Sequence, residues 1–578
     1  MSVVAEKFLC DGAPDPAGWN TRQWDHEHII RHQGPKADLN LRLENLSHRL
    51  LGTVGGRSSD LVRIAAYVYA ADQMTSRGGV SNAYDSRWYR EMALSIPVTD
   101  PAFWNAPATL EVLTETLDFL SEDRWEFQFV RGDPERGQLP LNMDQEELHD
   151  HPDCVVLFSG GADSLCAVIQ KVAEEGRRPV LVSHTSTPPV SSRQRVLLKE
   201  LRLWFPSWAF PPIGCWIHRK GSEPAESTQR TRAFLYASLG SAVADTLGVA
   251  DVFLADNGIV SLNIPINDQL VGALATRSTH PKFIWLFNKL LTAVFTEPPR
   301  VSNPLWNKTR AETLDVLRRH RLEDLLQETN SCAHARGRPA VQPHCGVCSQ
   351  CVDRRFAVAA RRLEDHDLVE RYGLDIFCDP LKGGITRTLA VSYVRFAARV
   401  TGAQEDDLFS VFPQLFECIV SDDPTPDATG YELTMLLKRH SSSVLDVMSA
   451  QIEAHSGDLA AEKLPLTSLI RLVAAGVTNG VAKLGMPLPS NVSDLICSED
   501  FTTIVAKGQI YHFPSLQAEA MKALVEELRR GVPEVNQQYI LESAGSKARR
   551  MRDLFKRSEA WETLIVPGSK PGYFTLKS

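Results

Sequence analysis

The chain has 578 residues, 43% hydrophobic and 23% charged, with a formal net charge of -9. That length supplies three or four ordinary domains, and the composition excludes collagen-like or largely disordered chains. The acidic balance argues against a protein coated in nucleic acid. No apolar run approaches a membrane span, and no basic segment followed by an apolar core opens the chain, so a cytoplasmic protein is expected. Eleven cysteines, an odd number in such a chain, predict reduced thiols.

Residues 1–150 read as an N-terminal α/β extension. Residues 38–43 alternate polar and apolar as a half-buried strand does. A helix is expected over 59–74, capped by Ser59 or Asp60, then a strand over 90–97, a helix over 107–120 and a strand over 125–129. No chemistry is legible there. The region reads equally as a recognition surface or as a cap on the core.

Residues 151–365 alternate strand and helix, which predicts a parallel sheet wrapped by helices. The organising stretch is Val155-Val156-Leu157-Phe158-Ser159-Gly160-Gly161-Ala162-Asp163-Ser164. Four apolar residues form a buried strand and Ser-Gly-Gly a turn, and a helix follows over 163–175. Two glycines at a helix N-terminus leave backbone N–H groups pointing outward with no Cβ in the way, a cradle for phosphate. Ser159 and Ser164 add hydroxyls, and Asp163 can orient a donor or hold Mg²⁺. The plainer alternative is an ordinary strand–turn–helix corner. Further strands are expected over 178–184, 213–218 and 250–258, with helices over 192–205 and 227–247. Ligands sit beyond the carboxyl ends of such strands. Ser183-His184 and Asp256-Asn257-Gly258 therefore converge on the glycine loop.

Cys332, Cys345, Cys348 and Cys351 follow, three of them at spacings of three residues. Such thiols close a tetrahedron around a structural Zn²⁺. An iron–sulfur cluster is the minor alternative, and His334 or His344 could replace a thiolate. Residues 366–499 read as helical packing scaffold, with helices over 384–399, 441–455 and 466–474 and a loop over 422–430. Residues 500–578 read as winged-helix-like: a strand over 509–513, helices over 515–530, 536–544 and 546–557, and a hairpin of 561–566 with 572–576. The third helix is strongly basic, as a groove-reading helix is. A protein contact is favoured over DNA for it.

Ser-Gly-Gly-x-Asp-Ser resembles the pyrophosphate loop (PP-loop) of ATP pyrophosphatases, and it lacks the Gly-Lys-Ser/Thr ending of the Walker loop. Together with Arg232, Asn257-Gly258, Arg277, Asn303-Pro304-Leu305, Lys308, Glu312 and Asn330-Ser331-Cys332, the order of motifs over about 153–360 resembles the QueC-like 7-cyano-7-deazaguanine synthases. The resemblance implies a PP-loop core that adenylates a 7-deazaguanine carboxylate with ATP and Mg²⁺ and transfers it to an amine. It implies Asp163, Ser164 and Lys308 as catalytic. Ser159, Gly160, Gly161, Asp163, Ser164, Ser183 and His184 would take ATP, and Arg232, Asn257, Gly258, Asp268 and Arg277 the substrate.

Three positions depart from the family pattern. Ser183-His184-Thr185 stands where the family has Tyr-Gly-Gln, Ala233 replaces an Asn, and Val347 replaces a Lys. The long form resembles QueC-like proteins of bacterial anti-phage defence systems (Qat and a CBASS type), which implies a partner protein's N-terminus as acceptor. The alternatives are a free nitrile synthase using ammonia and a non-catalytic nucleotide-binding adaptor.

Overall fold

The computed structural model describes residues 4–31, 39–41, 56–76, 90–132, 152–184, 188–207, 213–215, 217–219, 225, 230–265, 277–334, 338–339, 341–381 and 385–474. It also describes 495–497, 501, 503–506, 509–529, 534–546, 548, 550–556, 558, 560–561, 563–568, 570 and 572–576. They fall into two compact units, Met1–Gly480 and Val481–Ser578.

The first unit opens on β1 (Val4–Cys10) and β2 (His26–Ile30), neither anticipated from the sequence. Charged Glu6 and Lys7 interrupt the apolar alternation of β1. Both are buried because both are paired: Glu6 with His26 and His28, Lys7 with Asp15 and Glu27. β3 (Leu39–Leu41) follows, then α1 (Gly56–Met74), β4 (Arg90–Val98), α2 (Pro107–Ser121) and β5 (Arg124–Arg131). Four of these strands make a parallel sheet ordered β2-β1-β4-β5. The expected cap of α1 is not found. The helix begins earlier, and Asp60, buried within it, accepts from Thr99 N–H (2.9 Å) and Trp104 Nε1 (3.0 Å).

The second sheet begins with β6 (Cys154–Leu157), α3 (Ala162–Ile169), β7 (Pro179–His184), α4 (Pro188–Trp204) and β8 (Ile213–Cys215). β9 (Ile217–Arg219), α5 (Arg232–Leu247), β10 (Asp251–Phe253), α6 (Gly258–Leu262), α7 (Pro281–Val294) and β11 (Arg300–Ser302) follow. Its order is β11-β10-β6-β7-β8, all parallel. Three expectations change here. The helix after the loop is α only to Ile169 and then widens into a π turn, Gln170–Glu174. The strand expected over 213–218 divides, β8 joining this sheet and β9 pairing antiparallel with β3. The strand expected over 250–258 is short because Asn257 caps α6.

One apolar core runs through both layers. α1 is buried nearly all round, between the first sheet and α5, and α2 packs on α7. The small residues expected on α5 are needed, since a Cβ on Gly240 would stand 2.9 Å from Leu157 and Val252 side chains.

α8 (Arg310–His320) and α9 (Ser349–Arg361) close the second sheet's other face. α10 (Ile385–Gly402), α11 (Pro426–Ala454) and α12 (Leu469–Ala474) pack on α9 through Val352 and Phe356 and on α6 through Leu262. Part of the loop expected over 422–430 is helix, because Pro426 at a first helical position starts α11.

In the second unit, β12 (Leu495–Cys497), β13 (Thr503–Ala506) and β14 (Gln509–His512) form an antiparallel sheet. Then come α13 (Ser515–Arg529), β15 (Val535–Asn536), α14 (Gln537–Ser543), α15 (Met551–Leu554), β16 (Ile565–Pro567) and β17 (Tyr573–Leu576). A second antiparallel sheet is ordered β15-β17-β16. The basic helix expected over 546–557 is reduced to the single turn α15. Met551 and Phe555 anchor it in the core, its N-cap Arg550 makes no side-chain capping bond, and closely spaced cations repel along a helix. Residues 547, 549 and 557 lie outside the described residues.

Candidate functional site

The loop Ser159–Ser164 leaves the end of β6, where the strand order reverses: β7 lies on one side of β6 and β10 on the other. Crevices open at such switch points in parallel sheets. Gly160 has φ +82°, a left-handed conformation that favours glycine, and a Cβ there would stand close to Gln194 Cγ, at 3.2 Å. Ser159 Oγ accepts from Gly161 N–H (3.3 Å) and lies 3.2 Å from Ser164 Oγ, which donates to the Gly161 carbonyl (3.0 Å). Gln194 on α4 donates to the Phe158 and Ser159 carbonyls (3.3 and 3.2 Å), and Asn330 N–H donates to the Gly160 carbonyl (3.1 Å).

Asp163 is buried in the first turn of α3. Its Oδ2 accepts from Asn257 N–H (3.2 Å), Asn257 Nδ2 (3.0 Å) and Arg310 Nη2 (3.3 Å). Its Oδ1 is buried without a partner, which is costly for a carboxylate oxygen unless a ligand or cation meets it. Asp256 lies beside it. Burial first, and the Asp163 charge second, push the Asp256 carboxyl up to about 7, although the Thr279 hydroxyl donates to it at 3.1 Å. The Asp256 carboxyl, held back from ionising, beside an Asp163 oxygen that is buried without a partner, fits a divalent cation.

Arg310 was not singled out by the sequence, because a cation on a helix ordinarily faces solvent. Here it is buried. Burial works against its charge, but Asp163 and Asp353 outweigh that and raise its pKa. Its Nη2 donates to Gln350 Oε1 (2.6 Å), and its Nε lies 2.9 Å from Asp353 Oδ2, an ion-pair distance too bent for a hydrogen bond.

Most of the other expected site residues have protein partners in this structure. Arg277 is half-buried and paired with Glu122 (2.8 Å), over the Phe119 ring at 4.5 Å. Gly258 is a packing glycine: a Cβ would stand 2.2 Å from the Trp306 carbonyl oxygen, and its N–H donates to the Lys308 carbonyl (2.7 Å). Arg232 is exposed at the start of α5, 5.8 Å from the Tyr236 ring. Ser183 donates to the Phe158 carbonyl (2.9 Å), and buried His184 packs edge-on against Tyr69 and Tyr236. Lys308 is half-buried and donates to Gln170 Oε1 (3.0 Å). Asp268 lies outside the described residues. Glu312 completes a capping box with Thr309 and pairs with Arg439 on α11 (2.7 Å). Asn303 donates to the Asp256 carbonyl (2.7 Å) and Ser261 Oγ (2.9 Å), fixing the turn from β10 to α6.

The four cysteines converge as expected. All are buried, and their sulfurs lie within 4.8 Å of one another. A tetrahedron with Zn–S bonds of ~2.3 Å has edges of about 3.8 Å, and Cys345 Sγ stands 3.8 Å from Cys351 Sγ. Backbone N–H groups of Val347 (3.4 Å) and Cys348 (3.3 Å) point at Cys345 Sγ, which favours thiolate. Gly346 makes this turn at φ +82°, and a Cβ would stand 2.1 Å from the Leu374 carbonyl oxygen. The donor set suits a metal such as zinc. His334 Nδ1 lies 3.8 Å from Cys345 Sγ, and His344 stacks on Tyr372.

Among the described residues no helix is long and apolar enough to cross a membrane. In comparisons with known proteins, no family model, no curated protein and no solved structure matches this chain.

Proposed function

We propose that this chain activates the carboxylate of a 7-deazaguanine with ATP and transfers it to an amine, that of a partner protein's N-terminus in an anti-phage defence system. The observation that carries the ATP half is the buried, unpartnered Oδ1 of Asp163 at the end of a two-glycine turn, at the strand-order switch point. The substrate half rests on the motif order from Ser159 to Cys351.

In this reading the loop amides and the Ser159 and Ser164 hydroxyls hold the phosphates, and no Cβ blocks their approach. Asp163 and Asp256 would hold Mg²⁺, which when bound offsets phosphate charge. The substrate carboxylate attacks the α-phosphorus, the bond to the bridging oxygen breaks, and pyrophosphate leaves. The amine then attacks the acyl carbon of the mixed anhydride, AMP leaves, and a proton is lost from nitrogen. Lys308 is the cation assigned to the phosphates. Gly258 and Arg277 act by packing and by the Glu122 ion pair. The four thiolates hold a structural zinc. The C-terminal unit, read as winged-helix-like, serves a protein contact.

The test is pyrophosphate release from ATP and Mg²⁺ with 7-carboxy-7-deazaguanine, wild type against Asp163→Ala, with products followed by mass. Release that needs the deazapurine and falls at least about a hundredfold in the variant is expected. A free nitrile as product would replace the protein acceptor with ammonia. ATP binding without pyrophosphate release, candidate partners included, would overturn the enzyme reading.

A further inference from the structure

Two struts run from the cysteine cluster to the glycine loop. In the first, the backbone N–H of Cys332 donates to Asn330 Oδ1 (2.9 Å), while Asn330 N–H donates to the Gly160 carbonyl (3.1 Å). In the second, Gln350, between Cys348 and Cys351, accepts from Arg310 at both its side chain (2.6 Å) and its carbonyl (3.3 Å). The same guanidinium reaches Asp163 Oδ2 (3.3 Å) and stands against Asp353, two residues beyond Cys351. Arg354, next along α9, fixes the approach to Cys332 by donating to Thr329 Oγ (2.6 Å) and the Leu326 carbonyl (2.8 Å). Arg310 is therefore the one described side chain that hydrogen-bonds both the loop carboxylate and a residue inside the cysteine knuckle.

We infer that Arg310 is a positioning residue through which the metal-bound cysteine knuckle sets the posture of Asp163 and the glycine loop. Asp163 Oδ2 is held by Asn257 on one side and Arg310 on the other. That pairing engages Oδ2 alone and leaves Oδ1 buried without a protein partner. With the knuckle unfolded, Gln350 and Asp353 no longer hold the guanidinium, and Arg310 is free to close fully on the carboxylate or leave it. By linkage, a ligand that prefers the loop in its metal-set posture must in turn tighten the metal site.

Hydrogen exchange of peptides covering residues 157–170 tests this on the full-length protein, with metal content measured alongside. Stripping the metal from wild type with a mercurial reagent should accelerate loop exchange about tenfold, within the range of coupled sites. Arg310→Met should show the same acceleration with its metal still bound, and stripping it should then add little. Arg310→Lys should recover part of the protection. If Arg310→Met does not fold, Gln350→Leu, which keeps both carboxylate contacts of Arg310, carries the same comparison. Unchanged loop exchange in the metal-loaded variant, or effects of stripping and substitution that simply add, would overturn the inference.

A second arm rests on the nucleotide reading: ATP with Mg²⁺ should slow metal loss to a chelating dye in wild type and not in Arg310→Met. Failure of this arm alone removes the nucleotide and leaves the strut standing.

Discussion

At the scale of single residues, the candidate site contains a carboxyl group, Asp256, whose burial and whose neighbour Asp163 oppose its ionisation. Its folded-state pKa of about 7 lies above the ordinary carboxyl value, so the native state holds the proton more tightly than the unfolded chain. The stability that proton contributes is complete below about pH 4 and is lost as pH rises through about 7. Asp163, Arg310 and Arg232 are the charges that face it. Asp256→Asn keeps the shape and cannot ionise. Its melting temperature should gain on wild type as pH rises from about 5 to 8, by about 2 °C. Parallel melting curves from calorimetry across that range would rule the shift out. Asp163 was legible from Ser-Gly-Gly-x-Asp-Ser alone. Asp256 was visible only as one polar residue at a strand end, and Arg310 not at all, since the burial that gives both their character comes from distant elements.

At the scale of elements, the N-terminal layer is bonded to the loop-bearing sheet by buried charge. Arg90, at the start of β4, is fully buried between Asp72 on α1 (2.6 Å) and Asp123 before β5 (2.7 Å), and it also donates to the Thr75 carbonyl. Asp72 in turn accepts from Thr231 N–H (3.1 Å) and Oγ1 (3.0 Å), where α5 begins. Arg230 beside it pairs with Glu122 (2.8 Å). This bears on the open choice between a recognition surface and a cap, because α1 and α2 are core to both sheets. Arg90→Met would leave two buried carboxylates without their cation. Urea unfolding should show a loss of about 3–5 kcal/mol. A loss under about 1 kcal/mol would mean the layer is held by apolar packing alone. Helix and strand types were readable because their periodicities are local. The lost cap at Asp60 and the divided strand at 213–219 were not, because tertiary partners decided them.

At the scale of the whole molecule, the two units have separate apolar cores, one of them around Met521, Ile540, Met551 and Phe555. Thermal unfolding should therefore show two transitions. Removing the metal should lower the one belonging to residues 1–480 by about 5 °C or more and leave the other within about 1 °C, since metal affinity is folding free energy for the unit that holds the thiolates. A single transition, or equal shifts of both, would contradict this division of the cores.

The sequence by itself determined the mixed α/β character, the glycine turn, and the cysteine set with its spacing. Each is written in a short run of residues whose local physics has few alternatives. Only the tertiary structure decided the strand order that puts the turn at a switch point, the burial of Glu6, Lys7 and Arg310, and the one-turn length of α15. It also decided the ion pair of Arg277 with Glu122 and the close packing around Gly258. A charge or a glycine takes its meaning from what is packed against it, and those partners lie tens to hundreds of residues away in the chain.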